Sequence, residues 1–436
     1  TDRVHQDNEN RFLRVSDGST ELLARGMKQL LERVDRSAME PTDYLLAVVN
    51  TLPFERSGVV TAEVYPRVDD RVESFDLVDE RGRTIAYELL EAHHRNRTIL
   101  TPVNLPGQVE VHDLKIRFRA EDLPPCGYRV YRLRVKHGTP HFEQDQQVPT
   151  PEQDGCVLEN ELLRVRVGPG GQIDLTDLES GQHTADLLGF EDVPDCGDAY
   201  WFAPDPDAVP FDFQTVRPVI TRLEDAPQMQ AVRLVYTYGE HRNQIGLTLS
   251  LAAGSHQLDV GVDVENRSEN HRLRLLVHTD VQADENVSSQ PFDCLHRNRV
   301  PELPDLRDDW TEPNNGLVSI QDGSRGMSVF NEGLYEYEHL QNERGTLALT
   351  LVRATGRIAN DPMCTGQDEV EPAAMWEAPE NQCLRTTSFR LAVRPGCATP
   401  AELMRKLQAF HAPLLSAFGA ADGRKFSGGR ACVQDS

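Results

Sequence analysis

The segment "QIGLTLSLAAGSHQLDVGVDVENRSENHRLRLLVHTDV", residues 244–281, decides the fold class of this chain. Apolar and polar residues alternate in three runs, at 245–251, 258–264 and 273–277, and an alternation of period two predicts half-buried strands. Turn-forming Gly, Ser and Asn residues separate the runs, with no helical pattern between them. Strands joined in this way are typical of antiparallel sheets, so we predict a mainly β chain of stacked antiparallel sheets.

The same alternation extends over roughly 44 to 395 and divides the chain into segments. The polar, Pro-rich stretch "HGTPHFEQDQQVPTPEQDG" interrupts it and predicts a linker. After the last strand, Thr399, Pro400 and Glu402 are typical of a capped helix start. We predict a helical segment (1–40), a small β-sandwich domain (41–138), the linker (139–155), a large β-sandwich domain (156–397), and a helix with a C-terminal tail (398–436).

The first of these segments has an apolar stripe without an evident partner. Leu23, Met27, Leu30 and Val34 recur at helical spacing and predict an amphipathic helix over 19–36. A single helix of this kind does not bury its own stripe, so it needs other elements to cover it. Its companions are therefore distant in the sequence or absent from this chain.

Composition excludes several classes of partner. The net charge is -25 over 436 residues, whereas nucleic-acid phosphates require an excess of Lys and Arg. The same charge disfavours an anionic membrane surface. The longest apolar run, "YLLAVVN" at 44–50, is far shorter than the roughly 20 residues that a membrane-spanning helix needs. We expect neither nucleic acid nor membrane as a partner, and the sequence leaves a homo-oligomer open.

The cysteines indicate a reducing environment. The chain has 8 of them, and they are scattered, with no C-x-x-C motif and no dense framework. In a chain of this length such cysteines are typical of packed, reduced thiols in a cytoplasmic protein.

A His-x-Asp pair near the start, His5 and Asp7, raises the question of a metal site, because imidazole and carboxylate together suit zinc. The surrounding stretch continues into a helical pattern. Residues two apart on a helix point to nearly opposite faces and cannot share one ion. The spacing therefore favours a solvated helix face over a ligand pair.

The chain lacks the common catalytic motifs, including G-x-S-x-G, H-E-x-x-H and the Walker loop. One loop is nevertheless rich in groups that suit a sugar. The stretch 190–207 places Asp192, Asp195 and Asp198 beside Tyr200, Trp201 and Phe202. Carboxylates accept hydrogen bonds from hydroxyl groups and flat aromatic faces cover a sugar ring. An acidic surface loop whose aromatics fill the core accounts for the same pattern.

Two further stretches leave the strand pattern. "GRIANDPMCTGQ", 356–367, carries Arg357, Asn360 and Asp361 and is either a site loop or a plain crossover. "FNEGLYEYEHL", 330–340, favours an edge hairpin. A pair of carboxylates could hydrolyse a glycoside, but with 70 acidic residues the sequence does not select a nucleophile.

A family resemblance appears in a succession of short motifs. In order, they include "VHQDNENRF", "VVNTLPFERSG", "LPPCGYRVYRL", "NELLRVRVGPGGQIDLTDLESGQ", "GDAYWFAP", "VENRSENHRLRLLVHTDV" and "GLVSIQDGSRGMSVFNEGLYEYE". This order resembles the portion of glycoside hydrolase family 38 α-mannosidases that follows the catalytic barrel, in the bacterial branch that includes mannosylglycerate hydrolases. The resemblance covers roughly 1–415.

The resemblance implies a retaining, zinc-dependent α-mannosidase whose nucleophile and zinc ligands lie upstream of this chain. It implies that no catalytic residue and no metal ligand is present here, and that His5 and Asp7 match the helix after the zinc motif. The helical segment would be the last helix of a bundle. The large domain would be a galactose-mutarotase-like super-sandwich, and the missing N-terminal catalytic domain would be the partner of this chain.

By the same resemblance, loops of the β domains help to form the substrate pocket. Asp198 and Tyr200 would contact the hydroxyl groups of an α-mannoside such as mannosylglycerate. Arg357 and Asp361 are the second candidates for substrate binding. Two alternatives remain open: a stand-alone, non-catalytic carbohydrate-binding β-sandwich protein, and a mutarotase-like enzyme, which would need a paired His and Glu in its cleft.

Overall fold

A computed structural model describes residues 2–37, 39–99, 105, 107–142, 148–200, 202–205, 207–300, 310–358 and 377–421. Over these residues the chain is mainly β, with antiparallel pairing between neighbouring strands, as predicted. It divides into two compact units: Thr1–Glu9 with Pro149–Phe410, and Asn10–Val148 with His411–Ser436. The first helix, α1 (Asp2–Arg33), begins in the larger unit and continues in the smaller one.

The smaller unit contains strands from both ends of the chain. They are β1 (Tyr44–Asn50), β2 (Arg56–Val64), β3 (Val72–Val78), β4 (Thr84–Ile85), β5 (Tyr87–Ile99), β6 (Gly107–Leu123), β7 (Gly127–His137) and the last strand of the chain, β27 (Leu415–Ala420). Within the described residues they form a sheet of order β27-β1-β7-β3-β4 and a second sheet of order β2-β6-β5. The turn at Gly82 joins β3 to β4 with a φ of 80°, a value that glycine adopts at no steric cost.

The larger unit contains the remaining strands and the second helix, α2 (Pro400–His411). The strands are β8 (Thr150–Pro151), β9 (Cys156–Glu159), β10 (Leu163–Val167), β11 (Ile173–Asp177), β12 (His183–Thr184), β13 (Leu188–Pro194), β14 (Val219–Asp225), β15 (Met229–Tyr238), β16 (Asn243–Ala252), β17 (Leu258–Glu265), β18 (His271–Val277), β19 (Glu285–Ser289), β20 (Cys294–Asn298), β21 (Glu312–Pro313), β22 (Leu317–Gln321), β23 (Gly326–Asn331), β24 (Glu336–His339), β25 (Leu347–Ala354) and β26 (Thr386–Pro395).

Three sheets arise from these strands. In the described part of the unit their orders are β12-β11-β10-β9, β13-β18-β25-β24-β21, and β20-β19-β22-β23-β26-β17-β16-β15-β14-β8. Inward-facing residues of all three form one hydrophobic core. Strand β17 shows how the sequence sets this arrangement, since Leu258, Val260, Val262 and Val264 are buried and alternate with polar residues or glycine. The three strands predicted from residues 244–281 correspond to β16, β17 and β18.

Helix α2 covers part of the long sheet. Leu403, Leu407 and Phe410 pack against Leu317 and Phe330. The helix begins with the predicted capping box: the backbone N–H of Thr399 donates to Glu402 Oε2 at 2.8 Å, and the N–H of Glu402 donates to Thr399 Oγ1 at 3.3 Å.

Candidate functional site

A cavity of about 610 Å³ opens at one end of the larger unit. It lies where β13 ends, β18 begins and β25 ends, because Pro194 pairs with His271 and His271 pairs with Ala354 in the same sheet. The cavity is lined by Pro194, Asp195, Cys196, Gly197, Asp205, Glu269, Asn270, Gly356, Arg357, Glu377, Pro379 and Gln382. It therefore brings together residues of two stretches that the sequence singled out, 190–207 and 356–367.

Asp195 anchors the first of these loops. Its Oδ1 accepts hydrogen bonds from the backbone N–H groups of Gly197 at 2.8 Å and Ala203 at 3.0 Å. Its Oδ2 accepts one from Arg353 Nε at 3.0 Å. This residue is only 3 % exposed, so the ion pair with Arg353 offsets the cost of burying the carboxylate. Asp195 thus holds both ends of the 195–203 segment on β25.

Asp198 and Tyr200 have different environments. Asp198 is 0 % exposed; its Oδ1 accepts from the N–H of Tyr200 at 2.8 Å, and its carbonyl oxygen accepts from Arg353. The Tyr200 residue is 68 % exposed. The carboxylate of Asp198 therefore fixes the backbone that presents the Tyr200 ring. Phe202 lies under the guanidinium of Arg272, 3.4 Å from the ring centroid, a cation–π contact that secures the end of the segment.

Of the second predicted pair, Arg357 and Asp361, the structure describes only Arg357. Arg357 lines the cavity, and its carbonyl oxygen accepts from the N–H of Ala199 at 3.2 Å, which ties the two loops together. Arg357 also pairs with Glu377 in an isolated antiparallel bridge. Asp361, like Asn360 and Trp201, lies outside the described residues.

The opposite wall of the cavity is held by two amides. Gln382 Oε1 accepts from the backbone N–H of Asn270 at 2.9 Å, and Gln382 Nε2 donates to Asn270 Oδ1 at 2.7 Å. Asn270 has a φ of 52° and Cys383 a φ of 51°, in a left-handed region that non-glycine residues rarely occupy. Residues held in this conformation are concentrated at functional sites.

A buried polar network lies directly beneath this wall. His271 Nδ1 is 2.7 Å from Asp192 Oδ1 and its Nε2 is 2.9 Å from Asn266 Oδ1. Asn266 Nδ2 donates to the carbonyl oxygens of Gln382 and Cys383, so the amide oxygen must face the ring. Through Asn266, His271 connects β18 to the turn that carries Gln382.

The sequence grouped Asp192 with the candidate sugar-binding residues of the stretch 190–207. In the structure its carboxylate instead supports His271 and Tyr238. Its Oδ2 accepts from the Tyr238 hydroxyl at 2.8 Å, and burial, with the nearby carboxylate, raises the pKa of Tyr238. Sequence reasoning missed His271 and Asn266. The signal was the polar pair at the edges of "NRSENH", the turn between two apolar strands.

His5 and Asp7 lie on α1. Arg385 Nη2 is 3.2 Å from His5 Nε2, and Arg385 also hydrogen-bonds Glu9. One end of the helix thus contacts the 379–385 turn, since the N–H of Glu380 donates to Asp2 Oδ1 at 3.2 Å. The first turns of α1 therefore lie beside the cavity wall that contains Pro379 and Gln382.

Among the described residues, one group of metal-ligand type occurs elsewhere in the larger unit. The ligand atoms of Asp177, Glu179 and His256 lie within 4.8 Å of one another. Hydrogen bonds account for this grouping, because Asp177 Oδ1 is 3.1 Å from His256 Nε2 and Asp177 Oδ2 accepts from Ser180 Oγ at 2.6 Å. Neither His5 nor Asp7 belongs to it. No described helix combines the length and the apolar character needed to cross a membrane.

Comparison with known proteins relates one segment of the chain to a family. Residues 158–362 match the sequence profile described as "Glycosyl hydrolases family 38 C-terminal domain". A curated relative from Halalkalibacterium halodurans, named "Putative mannosylglycerate hydrolase", is 23% identical over 432 residues, which cover 85% of this chain and 46% of the relative.

Two solved structures from Enterococcus faecalis share the fold. An α-mannosidase of strain V583 superposes with a TM-score of 0.81 at 21% identity, covering 97% of this chain and 51% of that one. A glycosyl hydrolase family 38 protein superposes with a TM-score of 0.77 at 20% identity, covering 98% and 53%. This chain spans about half the length of these proteins. Its segment 158–362 belongs to the C-terminal domain of glycosyl hydrolase family 38.

Proposed function

We propose that this chain is the C-terminal portion of a retaining, zinc-dependent α-mannosidase that hydrolyses α-mannosides. In this proposal the attacking carboxylate and the zinc ligands belong to an N-terminal catalytic domain. The described residues contribute scaffold and part of the sugar pocket. The match of residues 158–362 to a family 38 domain supports the glycosidase class, and the roughly doubled length of the relatives supports the missing domain.

The observation that carries this proposal is the position of the first helix. Asp2 bonds the N–H of Glu380, and the neighbouring residues Pro379 and Gln382 line the cavity. The last residue of a catalytic domain that precedes Asp2 would therefore lie at the edge of the cavity. The cavity would then form one wall of a pocket that the catalytic domain completes.

The lining of the cavity suits a sugar. Carboxylate oxygens accept hydrogen bonds from hydroxyl groups, and the amides of Asn270 and Gln382 both donate and accept. These amides are positioned by their mutual hydrogen bonds, so little side-chain freedom is lost when a ligand binds. Polar groups held in this way determine the orientation of a small ligand.

Individual roles follow from exposure. Tyr200 would present its ring to the sugar, Arg357 would donate to hydroxyl groups, and Asp198 would act by holding the backbone of Tyr200. Asp361 belongs to the same proposal on the strength of its sequence position alone. A cytoplasmic location also stays part of the proposal, since the described cysteines Cys126, Cys156, Cys196, Cys294, Cys383 and Cys397 are all free thiols.

A second candidate function is a carbohydrate-binding protein without catalysis. One observation favours it: the described residues of this chain form a cavity with a polar lining, which is the kind of site that a binding protein needs. The two candidates differ in what covers α1. In a stand-alone protein the apolar residues Phe12, Val15 and Leu22 of α1 would stay exposed to solvent, whereas an upstream domain would cover them.

The test compares two proteins with an aryl α-mannoside in the presence of zinc: the 436-residue chain, and the product of the whole reading frame that contains it. We expect turnover by the longer protein and none by the chain alone, which should still bind methyl α-mannoside. Turnover by the chain alone would overturn the proposal. A reading frame that begins at Thr1 and yields a sugar-binding but inactive protein would establish the second candidate.

A further inference from the structure

The charged side chains that line the cavity bear on whether its ligand is charged or neutral. We infer that this cavity accepts an uncharged sugar and discriminates against a glycoside that bears a carboxylate, such as mannosylglycerate. This inference rests on the proposed function, because it takes the cavity as part of the sugar pocket. It concerns the ligand class of this chain, which the name of the curated relative does not decide.

Among the charged side chains of the described lining, acidic ones outnumber basic ones. Asp195, Asp205, Glu269 and Glu377 supply four carboxylates, and Arg357 is the single cationic side chain among them. Both glutamates are exposed, so their charges are accessible to a ligand in the cavity. The lining thus carries a net negative charge at neutral pH.

Ion pairing removes one of these charges but leaves the balance negative. Arg353, which does not itself line the cavity, pairs with Asp195 at 3.0 Å. When Asp195 is set aside with its partner, Asp205, Glu269 and Glu377 still face the single charge of Arg357. A carboxylate ligand would therefore add a fourth negative charge to a group that contains one positive charge.

Arg357 is not well placed to overcome this excess. It lies opposite Glu377 in the antiparallel bridge, and side chains at directly opposed positions project to the same side, a few ångströms apart. A ligand carboxylate that reaches Arg357 must therefore also approach Glu377. The negative charge of Glu377 beside this position lowers the attraction of Arg357 for a second carboxylate.

The size of the effect follows from Coulomb's law. A net charge of about two units at roughly 7 Å, in a partly exposed cavity, weakens binding of a monoanion by about tenfold relative to its uncharged analogue. The net charge of -25 on the whole chain acts in the same direction at low ionic strength. Neutral hydroxyl groups incur no such penalty and match the acceptors of the lining.

The experiment is a pair of titrations on the full 436-residue chain at pH 7, with methyl α-mannoside and α-mannosylglycerate as probes. We expect methyl α-mannoside to bind about tenfold more tightly, and we expect the difference to shrink as salt is raised. The E269Q/E377Q variant keeps side-chain shape at two exposed positions, so it should fold normally and bring the two affinities together. The E240Q variant, at an exposed glutamate outside the cavity, is the matched control and should leave the ratio unchanged.

The outcomes separate this inference from the proposed function. If α-mannosylglycerate binds as tightly as methyl α-mannoside or more tightly, and R357Q abolishes that binding, the inference is overturned while the cavity remains a sugar site. If neither probe binds to the chain, the cavity is not a sugar site and the proposed function of this chain fails with it. An unchanged ratio in E269Q/E377Q would equally contradict the electrostatic origin.

Discussion

At the scale of single residues, the candidate site depends on side chains that do not face the cavity. Asp198 is the clearest case, since it was predicted as a sugar contact and its carboxylate is buried against the N–H of Tyr200. A loop rich in acids and aromatics can be recognised in a sequence. Which of its carboxylates faces a ligand and which one bonds the backbone depends on the turn geometry, and an Asx-type bond leaves no mark on composition.

Tyr200 allows a test of direct contact. We predict that Y200A weakens binding of methyl α-mannoside by about five- to tenfold, because an aromatic face on a ligand contributes roughly 1 kcal/mol. Stability should not change, because this side chain is mostly solvent-exposed. Tyr335 is 66 % exposed and lies between β23 and β24, outside the 195–203 segment, so Y335A is the control in the same titration. Equal affinities for wild type and Y200A would remove Tyr200 from the site.

His271 allows a test of support from beneath. It forms a buried pair with Asp192, and removing one partner of such a pair leaves the other uncompensated. We predict that H271L lowers the free energy of unfolding by about 3 kcal/mol in urea denaturation. H241L, at an exposed histidine, should change it by less than about 0.5 kcal/mol. If the effects of H271L and D192N were additive, the two residues would not act as a pair.

His339 predicts a specific pH dependence. It is 4 % exposed, neither ring nitrogen has a hydrogen-bond partner among the described residues, and burial lowers its pKa from 6.5 to about 4. The unfolded chain therefore binds a proton between these values that the folded chain does not. The contribution of His339 to stability is complete above pH 6.5 and is lost as the pH falls towards 4.

The measurement is unfolding by urea at several pH values. Between pH 7 and pH 4, wild type should lose about 2 to 3 kcal/mol more than H339L, which cannot take up this proton. His278, whose pKa is also lowered by burial, contributes to the slope of both proteins and cancels in the difference. Parallel slopes for wild type and H339L would contradict the prediction.

At the scale of elements, local patterns were predictable and distant pairing was not. The capping box of α2 involves Thr399 and Glu402, three residues apart, and the sequence identified it. The pairing of β1 with β27 joins Tyr44 to Ala420, whereas the sequence predicted a helix and a C-terminal tail over 398–436. The run "LSAFGA" is short and rich in small residues, so its own propensity is weak. Its conformation depends on the edge of β1, which the local pattern does not contain.

Helix α1 is where the proposed missing domain can be tested. Its exposed residues Phe12, Val15 and Leu22 share one face, whereas Met27 is buried. We predict that F12S/V15S/L22S changes the unfolding free energy of the 436-residue chain by less than about 1 kcal/mol. In the protein with its upstream sequence, the same variant should be destabilised by several kcal/mol, because the face would be covered there.

The control for this comparison is M27A, at a position that is already buried. It should cost about 2 to 4 kcal/mol in both proteins. If F12S/V15S/L22S were equally harmless in the longer protein, α1 would have no upstream partner on that face. Such a result would favour the stand-alone carbohydrate-binding protein.

At the scale of the whole molecule, the division into units does not follow the order of the sequence. The smaller unit takes β1 to β7 from one end of the chain and β27 from the other, although the sequence predicted a continuous domain over 41–138. A sequence pattern locates strands, but it does not show which sheet edge a later strand will complete. Each unit has its own hydrophobic core, which is the condition for independent cooperative unfolding.

This arrangement predicts how a C-terminal truncation acts. Ending the chain at Pro413 removes β27 and with it Phe418, which stacks on Tyr44 with ring centroids 5.1 Å apart and lies edge-on to Tyr65 at 4.6 Å. Losing one buried Phe side chain costs about 3 to 5 kcal/mol. Differential scanning calorimetry should therefore show one transition moved to lower temperature and a second one, from the larger unit, unchanged. Ending the chain at Ala421 instead retains β27 and isolates its contribution. A uniform shift of all unfolding, or none, would show that β27 does not stabilise the smaller unit in particular.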